Sequence, residues 1–459
     1  MTDTAVHGSF RDPSGFVFMR DGVVHRQVNT GYAEHYDHLM DSGLYEALVS
    51  AGLLIAHDEV QAPAAAPGAY RILRPARVDF VSYPYEWCFS QLKDAALATL
   101  EIADAALGHG MSLRDASAYN IQFHRGRPVL IDTLSFEIRR EGSPWAAYRQ
   151  FCQHFLAPLA LMATCDARLG QLCRIHIDGV PLDLASRLLP ARTRLKPGLQ
   201  IHLHTHARSQ QRHADAPAGP SSGKGRFSDQ AFRGLIENLR GTVRKLDWAP
   251  TTSTWIDYYA TADHYSDEAR EDKERVVGAF LDRVRPSTVW DLGANVGRFS
   301  RLAADRGARA VALEADIASV EAAYRALRAE GSADVLPLVM DFANPTPSQG
   351  WDGRERSSLE ERGPADAALA LALIHHLAIA GNVPLDRIAE WLARLCRALI
   401  IEFVPKTDPK VQRLLASRED IFPEYTAEGF ATAFEGKFAT VAQSPLRESG
   451  RVLYLMERR

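Results

Sequence analysis

The chain has 459 residues, 46% of them hydrophobic, so it can bury more than one core, because single cores stop growing at about 250–300 residues. Its 53 basic and 57 acidic side chains leave a formal net charge of −4, which excludes a global field drawing it onto nucleic acid or anionic lipid. The five cysteines form no CxxC pair, which argues against a disulfide framework and a structural zinc site. A polar N-terminus and the lack of a long apolar run predict a cytoplasmic protein without a membrane partner.

The first informative stretch, SLRDASAYNIQFHRGRPVLIDTLSFE, runs from Ser112 to Glu137. Asp115 and Asn120 are five residues apart, and Asp132 follows twelve residues after Asn120. Between them, two short strands are predicted to turn at HRGRP. The sequence therefore places two carboxylates and one amide at the ends of short, neighbouring elements.

This stretch resembles the catalytic loop and metal-binding aspartate of protein kinases and aminoglycoside-type phosphotransferases, and the segment before it resembles their hinge and long helix. The resemblance implies that Asp115 accepts a hydroxyl proton and that Asn120 and Asp132 hold magnesium with ATP. The chain departs from the family pattern, since it has no Gly-rich phosphate loop and no VAIK-like lysine, Ile-Asp-Thr replaces Asp-Phe-Gly, and Leu113 replaces histidine. We therefore expect a degenerate α+β kinase-like domain that binds nucleotide, substrate or a partner, with an active phosphotransferase as the alternative.

Two further stretches close the first half of the chain. In IHLHTH, His202, His204 and His206 recur with a period of two, so a strand would place three imidazoles on one face, where they could chelate zinc or nickel. No carboxylate or thiol lies close by in the sequence, so we predict surface histidines and no metal site. From Ala207 to Gln230 the chain is rich in Ala, Gly, Pro, Ser and charge, which predicts a solvated linker.

After the linker, two amphipathic helices are predicted over residues 230–248 and 266–284. From Ser287 onward, short apolar runs alternate with helical stretches. The runs are TVWDLG, AVALEAD, VLPLVMD, DAALALALI, ALIIEFV, FATVAQ and RVLYLME. This alternation predicts βαβ units and a mostly parallel sheet that two strands close near the C-terminus.

The run VWDLGANVGRFS, from Val289 to Ser300, reads as a buried strand, a glycine turn and the start of a helix. Its glycines, Gly293 and Gly297, are four residues apart, so the turn is neither the GxGxxG dinucleotide motif nor a P-loop. A backbone that lets a ligand approach closely, with Asp291 before it, suits a ligand that carries a positive amino group. S-adenosylmethionine is such a ligand.

The next two strands also end in acidic residues. Glu314 lies about twenty residues after the turn, where a carboxylate can accept both hydroxyls of a ribose. The third strand ends in Asp341 and Phe342, which are suited to an adenine amino group and an adenine ring. Carboxyl ends of parallel strands share one edge of the sheet, so these residues are predicted to line one crevice.

In this order, these residues resemble the first three motifs of class I S-adenosylmethionine-dependent methyltransferases, over about residues 275–459. The resemblance implies a Rossmann-like, seven-stranded α/β sheet and S-adenosylmethionine as cofactor; a different ligand on the same fold is the alternative. It implies these cofactor-binding residues: Asp291, Gly293, Asn295, Gly297, Glu314, Asp341 and Phe342, with Tyr258 and Tyr265 in an aromatic lid. The order of the two halves resembles a nodulation-protein-like group of bacterial methyltransferases.

Methyl transfer requires a nucleophile aligned with the sulfonium methyl, and a base where that nucleophile carries a proton of high pKa. The fourth strand delivers His375 and His376 to the substrate side, and an imidazole is a suitable base. Glu402 ends the fifth strand, where it would orient a histidine or bind a substrate cation. The alternatives are histidines that only satisfy the backbone or pack, and a solvated carboxylate; the sequence does not choose between the two histidines.

The sequence therefore predicts a kinase-like domain over residues 1–206, a linker over 207–230, a helical lid and connector over 231–286, and a methyltransferase domain over 287–459. The expected activity is methyl transfer to an oxygen or nitrogen of a small molecule or carrier-bound intermediate. An ATP-dependent phosphotransferase and a non-catalytic binding scaffold are the alternatives. Nucleic acid is not an expected partner, and the sequence leaves the methyl acceptor and the oligomeric state open.

Overall fold

The structure is a computed structural model that describes residues 4–207, 227–250, 267–416 and 418–459. The chain divides into two compact units. The first comprises Met1–Ala249 together with Gly350–Arg356, and the second comprises Pro250–Gln349 with Ser357–Arg459. Among the described helices, none combines the length and apolarity needed to cross a bilayer.

The first unit is built on a five-stranded antiparallel sheet with the order β1-β2-β3-β5-β4. Two strand pairs lie outside this sheet, β6 with β9 and β7 with β8. The strands are β1 Thr4–Ala5, β2 Gly15–Arg20, β3 Val23–Asn29, β4 His57–Glu59, β5 Ala69–Pro75, β6 Met111–Leu113, β7 Ile121–His124, β8 Arg127–Leu130 and β9 Phe136–Ile138. The predicted hairpin at HRGRP is confirmed by the pairing of β7 with β8.

The longest described helix of the first unit, α3, runs over Phe89–Gly108 and confirms the helix predicted before the Asp115 loop. Its N-terminus is capped by Gln91, whose side-chain oxygen accepts the Cys88 amide at 3.0 Å. The α-helices of this unit are α1 Ala33–Asp41, α2 Leu44–Ser50, α3, α4 Tyr148–Phe151, α5 Ala157–Thr164, α6 Leu172–Ile175, α7 Leu182–Leu188, α8 Pro197–Leu199 and α9 Asp229–Arg244. Helix α9, assigned from sequence to the lid, groups with this unit, and Arg233 on it pairs with Asp104 on α3 at 3.2 Å.

The second unit is a seven-stranded sheet with the order β12-β11-β10-β13-β14-β16-β15. Strands β10 to β14 are parallel, whereas β16 is antiparallel to both β14 and β15. The strands are β10 Thr288–Leu292, β11 Arg309–Glu314, β12 Val335–Val339, β13 Ala365–Ala370, β14 Cys396–Phe403, β15 Phe438–Pro445 and β16 Val452–Arg458. All seven apolar runs in the sequence are therefore confirmed as strands, and the predicted seven-stranded α/β sheet is confirmed.

The helices of this unit cover the sheet and bury its aliphatic strands. They are α10 Asp267–Val284, α11 Arg298–Ala304, α12 Ile317–Glu330, α13 Leu385–Leu395, α14 Pro409–Leu415 and α15 Ala427–Glu435. Val277 of α10 packs in the same core as Val289, Ala312 and Leu369 from the sheet. Strands covered on both faces need apolar side chains throughout, which explains the near-continuous hydrophobic runs in the sequence.

The strand order reverses direction between β10 and β13, and this reversal positions the candidate site. From β10 the chain proceeds to β11 and β12 on one side, then returns to β13 and β14 on the other. Connections that leave neighbouring strands in opposite directions open a crevice at their carboxyl ends. The glycine turn after β10 and the histidine pair after β13 flank this crevice.

Candidate active site

The glycine turn after β10 has a left-handed backbone at three positions. Gly293 and Gly297 have φ values of 79° and 80°, and Asn295 between them has φ 52°. The asparagine tolerates this conformation because its side-chain oxygen accepts the Val296 amide at 2.8 Å. A Cβ atom on Gly293 would lie 3.5 Å from the Leu373 side chain, an ordinary van der Waals distance, so the positive φ rather than lack of space favours glycine here.

Asp291, at the end of β10, lies beneath the turn and is 2% exposed. The Ser300 hydroxyl donates a hydrogen bond of 2.7 Å to its carboxylate, which fixes the start of α11 to the strand. Burial raises the pKa of Asp291 to about 6, although the Ser300 hydrogen bond and the Lys273 ammonium oppose the shift. The strand-end carboxylate is thus shielded from solvent.

Glu314, at the end of β11, joins the second strand to the glycine turn. Its two carboxylate oxygens accept the backbone amides of Asn295 and Asp316, each at 2.9 Å. The side chain is partly exposed, and burial raises its pKa against these two hydrogen bonds. One lone pair of each oxygen is therefore committed to the backbone, which leaves others for a ligand hydroxyl.

The third strand end places an exposed carboxylate beside an aromatic pair. Asp341 is exposed and accepts the Ala343 amide at 2.8 Å. The ring of Phe342 meets Trp391 of α13 edge to face, with 5.9 Å between ring centroids. The sequence did not single out Trp391, which lies 49 residues from Phe342 and shares no motif with it.

Two histidines follow β13, and the structure separates them by exposure. His375 is 2% exposed, whereas His376 is partly exposed; their ring centroids are 4.2 Å apart. Among the described residues, no hydrogen-bond partner reaches Nδ1 of His375. Burial, followed by His376 and Arg451, lowers the pKa of His375 to about 3, and burial also lowers the pKa of His376. Both imidazoles are therefore neutral at pH 7.

Glu402, at the end of β14, is the centre of a buried charge network. It is 0% exposed, and its two carboxylate oxygens meet Lys273 of α10 at 2.6 Å and Arg451 at 3.1 Å. Arg451 also donates to Asp408, ahead of α14, at 2.7 Å. Burial would raise the pKa of Glu402, but the two cations lower it to about 2. The network pairs two cations with two carboxylates, so Glu402 is committed to Lys273 and Arg451.

The predicted lid tyrosines, Tyr258 and Tyr265, lie outside the described residues. Their roles stay predictions. The described part of the crevice therefore consists of the glycine turn, the ends of β11 and β12, the histidine pair and the charge network.

No protein-family model matches the chain. In an alignment of 465 residues, the chain is 37% identical to the nodulation protein NoeA of Rhizobium meliloti strain 1021. The alignment covers 99% of this chain and 96% of that protein. The chain belongs to the NoeA family of nodulation proteins. The predicted resemblance to a nodulation-protein-like group is thus confirmed.

Solved structures are similar to this NoeA-family chain only in part. Magnesium protoporphyrin IX methyltransferase (ChlM) of Synechocystis PCC 6803, with bound SAH, has a TM-score of 0.32 and 18% identity over 44% of this chain and 97% of its own. The bifunctional kinase-methyltransferase WbdD has a TM-score of 0.31 and 18% identity, over 44% of this chain and 42% of its own. Similarity at this level supports no argument about activity, which must come from the site itself.

In the first unit of the NoeA-family chain, the three residues predicted from the kinase resemblance lie in one hydrogen-bonded group. Asp115 accepts the Ser117 amide at 2.9 Å and the Gln150 side chain at 2.8 Å. Burial raises the pKa of Asp115 and the Asn120 side chain acts to lower it; Asn120 also donates to the Ser135 hydroxyl at 3.4 Å. Ser135 in turn donates to Asp132 at 2.8 Å. The sequence spacing therefore brings Asp115, Asn120 and Asp132 together.

The prediction of surface histidines at IHLHTH is wrong for His202 and His204. Gln200–Thr205 forms a π-helix, and His202 and His204 are each 1% exposed. His202 bonds to Tyr148 and Asn238 at 2.8 and 2.7 Å, whereas His204 bonds to Ser186 and Thr193 at 2.8 and 2.9 Å. His206 stacks on Tyr148. His202 and His206, four residues apart, both contact Tyr148, whereas His204 points to other neighbours, so the three imidazoles do not converge on one point.

Proposed function

We propose that the chain is an S-adenosylmethionine-dependent methyltransferase whose site lies at the carboxyl edge of the second unit's sheet. Its acceptor would be an oxygen or nitrogen of a small molecule or carrier-bound intermediate. The observation that carries the proposal is the set of acidic ends on three adjacent strands, Asp291, Glu314 and Asp341, around a left-handed glycine turn. Backbone amides and carboxylates in this arrangement suit a nucleoside with a cationic amino-acid tail.

The residues of the crevice fit this cofactor. Glu314 has free lone pairs for the ribose hydroxyls, and Asp341 with Phe342 offers a carboxylate and an aromatic face for adenine. Gly293 lets the backbone approach the ligand, and the Asp291 charge attracts the amino group while its carboxylate holds Ser300. When bound, S-adenosylmethionine supplies an electrophilic methyl group on sulfur.

We assign His376 as the group that accepts a proton from the methyl acceptor. Its partial exposure gives a substrate access, and its imidazole is neutral at pH 7, the form of histidine that can accept a proton. His375, with a pKa of about 3, is a much weaker base, so its buried ring is better suited to orienting His376 or the substrate.

Glu402 has a positioning role in this proposal. Its pairs with Lys273 and Arg451 tie α10, β14 and the start of β16 together beneath the crevice, and Arg451 extends the link to Asp408 before α14. The network therefore fixes the positions of these elements relative to one another. Proton transfer by Glu402 itself is disfavoured, because a carboxylate with a pKa of about 2 is a poor base at pH 7.

Calorimetric titration of the full chain with S-adenosylmethionine tests the proposal. Wild type should bind one equivalent, and Glu314→Gln should weaken binding at least about tenfold, since a hydrogen bond to a charged group contributes about 1.5–3 kcal/mol. Glu330→Gln removes an exposed carboxylate of the same unit and should bind as wild type does. Wild type that gives no binding heat would refute the proposal.

We also propose that residues 1–206 form a kinase-like module and that the protein is cytoplasmic. The first proposal is supported by the hydrogen-bonded group of Asp115, Asn120 and Asp132. The second is supported by the five cysteines, all free. If the protein turns over Mg-ATP and Asp115→Asn abolishes that turnover, the module is an active phosphotransferase rather than a degenerate one. If neither S-adenosylmethionine nor Mg-ATP binds, a non-catalytic scaffold is the better description of the protein.

A further inference from the structure

The carboxylate expected to hold magnesium in the first unit already has three partners from the chain itself. Asp132 forms an ion pair with Arg26 of β3, and both side chains are largely buried, at 15% and 14% exposure for Arg26 and Asp132. The Leu134 amide donates to one carboxylate oxygen at 3.1 Å, and the Ser135 hydroxyl donates to the other at 2.8 Å. Both oxygens of Asp132 are therefore engaged by donors that a metal ion would have to displace.

Asp115 and Asn120 also have hydrogen-bond partners from the chain, although Asp115 is engaged through one oxygen. The Ser117 amide and the Gln150 side chain both donate to one oxygen of Asp115. The Asn120 amide donates to the Ser135 hydroxyl, which in turn donates to Asp132, so Asn120 is connected to Asp132 through a side chain of the protein. The positive charge in this group is supplied by Arg26.

This arrangement does not fit a divalent metal. Mg²⁺ requires near-octahedral oxygen ligands at about 2.0–2.1 Å and is held through one or two carboxylates that must be available to it. Across the described residues, no set of three or more His, Cys, Asp and Glu side chains is placed to hold a metal ion. A guanidinium on Asp132 also adds a positive charge that repels an incoming cation.

A second arginine fixes the chain on the same side. Arg114, directly before Asp115, donates to Asp12 at 2.9 Å and to the Ser14 hydroxyl at 2.7 Å. It also donates to the Leu134 carbonyl at 3.1 Å, so the segment before β2 is tied to the loop that carries Asp132.

We infer that the Arg26 guanidinium occupies the cation position at Asp132, so the first unit binds no divalent metal there and performs no metal-dependent phosphoryl transfer. The group formed by Asp115, Asn120 and Asp132 is then a structural connection between the sheet and the helical part of this unit. This inference is independent of the methyltransferase proposal, because it concerns the first unit alone.

Titration of the full chain with Mn²⁺, followed by the electron paramagnetic resonance signal of the free ion, tests the inference. Wild type and Asp132→Asn should show the same weak, non-stoichiometric uptake. Arg26→Met should bind one Mn²⁺ per chain at least tenfold more tightly than wild type, and Arg26→Met/Asp132→Asn should lose that gain. Arg74→Met is the matched control, since Arg74 pairs with Asp58 at the exposed surface of the same sheet.

Two results would overturn the inference. One is stoichiometric Mn²⁺ binding by wild type that Asp132→Asn abolishes. The other is an Arg26→Met protein that folds, by circular dichroism and by amide-exchange protection of β3, yet gains no Mn²⁺ affinity. Should Arg26→Met fail to fold, the comparison of wild type with Asp132→Asn still decides the question.

Discussion

Replacing the buried carboxylate Glu402 by glutamine is expected to destabilise the second unit by about 3 kcal/mol at pH 7. Burial on its own would raise the pKa of Glu402, yet Lys273 and Arg451 lower it from 4.5 to about 2. At about 1.4 kcal/mol per pKa unit, this shift corresponds to about 3 kcal/mol. The value agrees with the roughly 3–5 kcal/mol lost when one partner of a buried ion pair is removed.

The sign of the shift fixes the pH dependence. Because the folded-state pKa of Glu402 lies below its ordinary value, the stabilisation is complete above pH 4.5 and is lost as the pH falls toward about 2. The difference in the free energy of unfolding between wild type and Glu402→Gln should therefore be constant from about pH 7 to 5 and shrink in more acidic buffer.

Urea titration read out by hydrogen exchange measures this difference locally. Mass spectrometry of peptides from β14 and β16 reports the second unit separately from the first, and Glu330→Gln serves as an exposed control. A difference below about 1 kcal/mol at pH 7, or one that persists unchanged in acid, would refute the reasoning.

Three further predictions concern the crevice. Gly293→Ala, at φ 79°, should cost about 1–2 kcal/mol and weaken S-adenosylmethionine binding in calorimetry, whereas Gly436→Ala, with open space around it, should not. His376→Ala should lower kcat about 10²–10⁴-fold in an assay of S-adenosylhomocysteine release, with cofactor Kd unchanged. Trp391→Ala, which removes the ring against Phe342, should raise the cofactor Kd about tenfold by calorimetry; an unchanged Kd would exclude an adenine site there.

The sheet and its strand ends could be predicted from the sequence because both depend on local pattern. Buried parallel strands leave apolar runs, and Asp291 and Glu314 each stand at the end of such a run. The charge network could not be predicted in the same way. Lys273 and Arg451 lie 129 and 49 residues from Glu402, and each alone reads as an ordinary charged residue.

In the first unit, too, the sequence could not predict a partner that lies far away along the chain. The spacing of Asp115, Asn120 and Asp132 predicted their proximity, but the partner of Asp132 is Arg26, 106 residues away on another strand. The prediction of surface histidines was wrong because the sequence did not show which backbone conformation these residues adopt. At His202 and His204 the backbone is helical, and hydrogen bonds to separate neighbours bury each ring.

A crystal structure of the full chain with S-adenosylhomocysteine tests the central claim most directly. The account predicts the ribose hydroxyls on Glu314, the adenine beside Asp341 and Phe342, and the sulfur facing His376. A nucleoside bound elsewhere, or a crevice blocked by side chains at millimolar ligand, would contradict it.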